Sequence, residues 1–126
     1  MRIIAGLLLC ALALLASSAA ADDSGVMTAG NLRDMCTSSS AESRAVCRFY
    51  ILGVTHGINL GMGIAEGKTE GGRPCIPENA SAVQLELAVK LKLGQVLMVY
   101  PEDEKLEASG VVGAIMVSTF PCPKTC

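Results

Sequence analysis

The chain has 126 residues, with ten basic against twelve acidic side chains, 51% hydrophobic residues and six cysteines. A net charge of −2, with the basic residues scattered along the chain, gives no basic patch of the kind that binds nucleic acid. The length allows one small domain with a modest hydrophobic core and leaves no room for a second.

The amino-terminal segment has the features of a secretory signal peptide. Arg2 gives it a positive start, residues 3–15 are almost entirely apolar, and small residues in an A-x-A pattern end at Ala21. The apolar run is shorter than the roughly 20 residues that a membrane-spanning helix needs. We therefore predict that residues 1–21 are removed, and that residues 22–126 form a single exported domain with no membrane span.

Five cysteines follow the predicted cleavage site, and in a small exported domain they are predicted to form disulfides. Lipid attachment at Cys10 is disfavoured because Leu9 stands where a lipoprotein signal requires a small residue. Any four cysteines can pair in three ways, and the odd fifth one adds further choices, so the count alone leaves the pairing open. The five are Cys36, Cys47, Cys75, Cys122 and Cys126.

The first predicted helix is short. Leu32, Met35 and Cys36 share one helical face, and Thr28 or Asn31 is expected to cap its start. A polar turn follows, in which Ser39 and Glu42 have the spacing of a capping box.

A longer second helix is predicted from that turn to about Met62. Its glycines, Gly53, Gly57 and Gly61, recur every fourth residue and so share one side of the helix. Each glycine costs up to about 1 kcal/mol relative to alanine, so we expect a second helix to pack closely against this ridge. Gly57 is therefore expected to reject a larger side chain. The predicted core stripe of this helix consists of Cys47, Tyr50, Ile51, Val54, Ile58 and Met62.

The segment from Val83 to Leu93 alternates apolar and mostly polar residues, which by period alone indicates a β-strand. Its composition favours a helix instead, and the segment 22–126 contains no second strand signal to pair with. We predict a helix over residues 82–99, capped by Ser81 and supported by a Glu86–Lys90 pair. Such a helix has two apolar sides. Val83, Leu87 and Leu91 lie on one, and Leu85, Val89 and Val96 lie on the other, so one side must meet a second element or a second chain.

Tyr100-Pro101 ends that helix, and "PEDEKLE" is predicted to open a last one because proline and acidic residues suit a first turn. Small residues, Gly110, Gly113 and Ala114, keep this helix narrow, so it is the expected partner of the glycine ridge. Its predicted core face consists of Leu106, Gly110, Gly113, Met116 or Val117, and Phe120.

Residues for chemistry are scarce. The only histidine, His56, lies mid-helix with no free nucleophile or orienting group beside it, so we predict no catalytic site. The C-x3-C of Cys122 and Cys126 supplies too few ligands for zinc, so we predict neither a metal site nor any other cofactor.

A short helix ends in Cys36, a long helix carries Cys47 and "YILGVTHGI", "CIP" follows a loop, and "YPE" precedes a last helix that ends in "FPC". The order of these features resembles the Rap/Tai family of type VI secretion immunity proteins. The similarity extends from about Thr28 to Cys122, and Cys126 departs from the pattern.

The resemblance implies an all-α, disulfide-stapled bundle of about four helices that dimerises in the periplasm. It further implies that the protein binds a secreted peptidoglycan amidase and inhibits it by occluding the active-site cleft, with no chemistry of its own. The alternatives are an acid-activated periplasmic chaperone of the Hde type, and a family relative with no dedicated toxin.

Four residues are predicted to bind partners. Leu87 and Leu91 form the expected homodimer contact, whereas Arg73 and Tyr100 are chosen because arginine and tyrosine are enriched at binding hot spots.

The helix order predicts the disulfide pairing. A hairpin of the first two helices brings Cys36 to Cys47, and a Cys75–Cys122 bridge then ties the loop before the third helix to the end of the last. Cys126 is expected to be free or paired between chains.

Overall fold

The computed structural model describes residues 25–64 and 74–123, with the side chains of residues 62–64 excluded. Within these ranges the fold is all-α, as predicted, and β-pairing is limited to two isolated bridges. Arg73, Cys126 and the predicted signal peptide lie outside the described residues. The helices are α1 (Ala29–Thr37), α2 (Ala41–Ile64), α3 (Ala82–Val99), a 3-10 turn (Pro101–Lys105) and α4 (Ala108–Thr119).

The caps of the first two helices follow from their serines and threonine. Thr28 caps α1 by accepting a hydrogen bond from the Asn31 N–H at 3.2 Å, which selects one of the two predicted caps. The predicted Ser39–Glu42 capping box is wrong by one residue, because the Oγ of Ser40 accepts from the Ser43 N–H instead. Arg44 holds the Ser39 carbonyl oxygen at 2.7 Å, so the turn includes Ser39 and α2 begins after it.

The alternating segment is helical, as its composition predicts. Ser81 and Gln84 form a complete capping box at the start of α3, with Gln84 Oε1 accepting from the Ser81 N–H at 2.8 Å. Glu86 and Lys90 face each other one turn apart, 3.9 Å from Oε1 to Nζ. A capped start and good helix formers therefore outweigh the two-residue period.

The predicted last helix is divided in two. Pro101–Lys105 forms only a 3-10 turn, and Leu106 and Glu107 are extended. The Leu106 carbonyl oxygen accepts from the Ala29 N–H at 2.9 Å, and the Ala108 N–H donates to Met27 at 2.8 Å. This pairing with the segment before α1 prevents a continuous helix, and α4 begins at Ala108.

The core lies between the four helices, and most of its predicted members are correct. In α2, Cys47 and Ile51 are fully buried and Tyr50 is half-buried, so the predicted stripe faces inward. The predicted core face of α4 is correct at Met116 and Phe120, which pack in or against the core. It is wrong at Leu106, which precedes the helix, and at Gly110, which is exposed. The buried residues of α4 are Ala108, Val112, Ile115 and Met116.

Two disulfides close the structure, with the predicted pairing. Cys36 and Cys47 join α1 to α2 with their Cα atoms 5.1 Å apart. Cys75 and Cys122 are 4.8 Å apart at Cα and tie the segment before α3 to the end of α4. The Cys75 N–H also donates to the Phe120 carbonyl oxygen at 2.7 Å, so a hydrogen bond supports this second link.

None of the helices in the described ranges combines the length and hydropathy needed to cross a bilayer.

Candidate protein-binding surfaces

One face of α3 is apolar and exposed. Val83, Leu87 and Leu91 repeat every fourth residue and are 61%, 64% and 62% exposed. The opposite side of the helix carries Leu85, Val89, Leu93 and Leu97, all buried in the core. The two apolar sides predicted for this helix are therefore present, and one of them is mostly exposed to solvent.

Met98 belongs to the same exposed face and was missed by the sequence analysis. It follows Leu91 by seven residues, which is close to two full turns, and is 76% exposed. A heptad count from Leu91 would have found it. We call Val83, Leu87, Leu91 and Met98 the exposed α3 face.

Tyr100 does not lie with these residues. It is the C-cap of α3 and is 54% exposed, nine positions after Leu91 and about half a turn away around an ideal helix. The structure therefore places Leu87 and Leu91 together and Tyr100 apart.

One ion pair among the described residues joins α3 to α2. Glu86 is 8% exposed, and its carboxylate accepts a hydrogen bond from Arg48 Nε at 2.5 Å. With Lys90 on its other oxygen, this buried carboxylate has a cation on each side. A buried charge is tolerated only when it is paired in this way, so the contact fixes how α3 sits and which face it exposes.

The predicted close packing of the glycine ridge is wrong. Gly53, Gly57 and Gly61 are exposed, and a Cβ atom built on any of them meets no atom within 4 Å. The narrow α4 meets α2 elsewhere: a Cβ on Gly113 would lie 3.8 Å from the Cδ1 of Ile58. Glycines share a face by spacing, but having no side chain they do not reveal whether that face points inward.

The exposed glycines lie beside exposed apolar side chains on α2. Phe49 is 71% exposed and Leu60 is 68% exposed, and both are in register with Gly53 and Gly57. Phe49 lies one turn before Gly53, but it was not among the binding residues predicted from the sequence.

A third surface is a groove between the end of α3, the 3-10 turn and α4. Its volume is about 480 Å³. Most of its floor is apolar, and two carboxylates stand among its walls. The lining residues are Val96, Asp103, Leu106, Glu107, Gly110, Val111, Ala114, Ile115 and Ser118.

Tyr50 connects the core to the Glu107 end of this groove. Partial burial raises the pKa of its hydroxyl above the ordinary value of 10.0, and the negative charge of Glu107 raises it further. Hydrogen bonding to Ser109 acts in the opposite direction. Glu107 Oε1 in turn accepts a hydrogen bond from Ser109 Oγ at 2.5 Å, so these three groups form one polar cluster beside the start of α4.

Within residues 25–64 and 74–123, no three histidine, cysteine or acidic side chains are grouped so that they could hold a metal ion. His56 is exposed on α2, and Cys36, Cys47, Cys75 and Cys122 are disulfide-bonded. The described residues offer exposed apolar surfaces and one groove suited to binding.

Comparison with known proteins gives one family. The profile of the Rap1a immunity proteins matches residues 28–122, which is most of the chain. No curated protein and no solved structure gave a significant match. The matched segment runs from the cap of α1 to the last bridged cysteine, and therefore contains all four helices and both disulfides. The chain belongs to the Rap1a immunity protein family.

Proposed function

We propose that this protein is a periplasmic immunity protein that binds a type VI secretion peptidoglycan amidase and inhibits it by occluding the active-site cleft. The family match over residues 28–122 carries the proposal, because immunity proteins bind a cognate effector and are generally not enzymes. An amidase of this kind attacks the cell wall, so its inhibitor has to work in the periplasm. The signal-peptide pattern of residues 1–21 supports export with removal of that segment.

Inhibition by occlusion requires a rigid surface and no chemistry of its own. Two disulfides and a paired buried carboxylate make the bundle rigid, which reduces the ordering cost of binding.

We further propose that the protein acts as a homodimer through the exposed α3 face. Leu87 and Leu91 lie one turn apart near the middle of that face, and exposed apolar patches on a folded protein commonly mark interaction sites. A two-fold axis across α3 would bring the same leucines of both subunits together.

Arg73 and Tyr100 are proposed as effector contacts. Tyr100 stands exposed where α3 ends and lies off the exposed α3 face, so it remains accessible when that face is covered. Arg73 precedes Pro74 and lies outside the described residues, and its selection rests on the enrichment of arginine at hot spots.

Periplasmic co-expression tests the proposal. Each exported Cys/His amidase encoded beside the gene is directed to the periplasm of a heterologous host, with and without this protein. We expect lysis by one of them, and survival when this protein is co-exported. Survival must depend on its signal peptide, since a copy held in the cytoplasm cannot meet the enzyme. Continued lysis with every neighbouring amidase would refute the immunity role.

A further inference from the structure

The groove between α3 and α4 is separate from the exposed α3 face. It is formed by Val96 near the end of α3, by Leu106 after the 3-10 turn, and by the outer face of α4. Val96 follows Leu91 by five residues and so lies well around the helix from it. A dimer across Leu87 and Leu91 leaves the groove available to another partner.

The floor of the groove lets a backbone come close. Gly110 and Ala114 lie one turn apart on the exposed side of α4, with Val111 and Ile115 beside them. No atom lies within 4 Å of a Cβ built on Gly110, so the small residue leaves open space. From Gly110 to Ser118 the floor extends about 12 Å, which is two turns of a helix. Apolar grooves with small residues on the floor are the kind that receive an amphipathic helix.

The carboxylates of the groove form no ion pair with any described residue. Asp34, Glu86 and Glu104 all form ion pairs with arginine or lysine. In the part of the chain that the structure describes, Asp103 and Glu107 form none, and they are the only acidic residues that line the groove. Unpaired negative charge beside an apolar floor favours a partner that brings positive charge to the same place.

We propose that this groove binds an amphipathic helix of a partner protein whose apolar side carries lysine or arginine at its edge. The apolar residues fill the space over Gly110 and Ala114, and the basic residues pair with Asp103 and Glu107. Only the identification of that partner as the effector rests on the proposed function. The preference of the groove for an apolar and basic helix does not.

Two synthetic helical peptides of about 15 residues test this preference. At that length an isolated helix is marginally stable, and binding can stabilise it. One carries leucine on one side with flanking lysines, and the other replaces each lysine by glutamate. Titration against the labelled protein by fluorescence anisotropy should show the lysine peptide binding about tenfold tighter or more, with affinity falling as salt rises. Equal binding of the two peptides, or binding of neither, would overturn the proposal. If an uncharged apolar dye binds in the groove and neither peptide does, the proposal is also overturned, since that result indicates a small-molecule site.

Two variants separate charge from shape. Asp103→Asn with Glu107→Gln keeps hydrogen-bond acceptors but removes the charge, and should reduce the preference for lysine to about threefold or less. Ala114→Gln adds a polar side chain over the floor, and should weaken binding of the lysine peptide more than tenfold. Both sites are at the surface, and thermal unfolding checks that each variant is folded.

Matched controls lie outside the groove. Glu78→Gln with Glu102→Gln removes two other charges that have no ion pair among the described residues. Ala82→Gln adds the same side chain as Ala114→Gln at an exposed helix position. These variants should bind both peptides as the natural protein does. If a control changes peptide binding as much as its groove counterpart does, the peptides do not bind the groove and the inference fails.

The inference and the proposed function can fail separately. Groove variants that still protect cells from an amidase would exclude the groove as the effector contact, even though the immunity role holds. Selective peptide binding together with no protection against any neighbouring amidase would retain the groove and reject the immunity role.

Discussion

Replacing Leu87 and Leu91 by glutamate should convert a dimer into a folded monomer. Full burial of a leucine side chain contributes about 1.5–3 kcal/mol relative to exposure. Because Leu87 is 64% exposed and Leu91 62% exposed in one subunit, covering each contributes about 1–2 kcal/mol. A two-fold interface contains each leucine twice, so the four side chains contribute about 4–8 kcal/mol. Their loss weakens association by about three to six orders of magnitude.

Sedimentation equilibrium measures this change directly. The natural protein should be dimeric at micromolar concentration, and the double variant monomeric with an unchanged helical circular dichroism spectrum. A double variant of Phe49→Glu and Leu60→Glu is the matched control, because it places the same charges on equally exposed positions of α2. A monomeric natural protein, or dissociation by the α2 variant but not by the α3 variant, would refute the assignment of the interface.

Three further predictions follow from the fold. Replacing both Cys75 and Cys122 by serine should lower the free energy of unfolding by about 4 kcal/mol in the chain-entropy estimate, since the bridge closes 47 residues. Chemical denaturation measures this loss, and a loss under about 1 kcal/mol would contradict the estimate. Gly57→Ala should raise the free energy of unfolding by up to about 1 kcal/mol, because the added Cβ meets no atom. Gly30→Ala should lower it, because the added Cβ would lie 3.2 Å from Glu104. Equal shifts of the melting temperature in the two variants would be inconsistent with the surroundings of the two glycines. With the other tyrosine replaced by phenylalanine, phenolate absorbance should show that Tyr50 ionises above pH 10.0. The stability that its protonated form contributes is present below pH 10 and is lost as pH rises through the pKa of the folded state. A titration midpoint of Tyr50 at or below pH 10.0 would contradict the burial of its ring.

Local features of the fold were predictable from the sequence. The hairpin of α1 and α2 needs only a short polar turn, so the Cys36–Cys47 bridge follows from spacing along the chain. The helical state of residues 82–99 follows from their composition and from the capping serine. The positions of Leu85 and Val89 around that helix place them on the side opposite Leu87 and Leu91, which explains their burial.

Features set by contacts between distant segments were not predictable. The start of α4 depends on hydrogen bonds from Leu106 and Ala108 to the segment before α1, nearly eighty residues earlier. Nothing within "PEDEKLE" encodes that pairing, so the predicted start of the last helix was wrong. The assignment of Leu106 and Gly110 to its core face was wrong as well, whereas Met116 and Phe120 were correct. The groove was missed for the same reason, because three separate elements contribute its walls.

The candidate binding surfaces also divide into one that was predictable from the sequence and one that was not. The exposed apolar side of α3 was predictable because leucines show their face by their period. The open surface around Gly57 was not, since an outward and an inward glycine ridge have the same spacing.

Inhibition of a purified amidase would establish the immunity role in solution. Exported Cys/His amidases are sought among the neighbouring genes, each is mixed with increasing amounts of this protein in its disulfide-bonded form, and hydrolysis of isolated peptidoglycan is followed. We expect activity to fall linearly and to reach zero at one subunit per enzyme, because occlusion of the cleft is stoichiometric. Full hydrolysis in the presence of excess protein would contradict the immunity role.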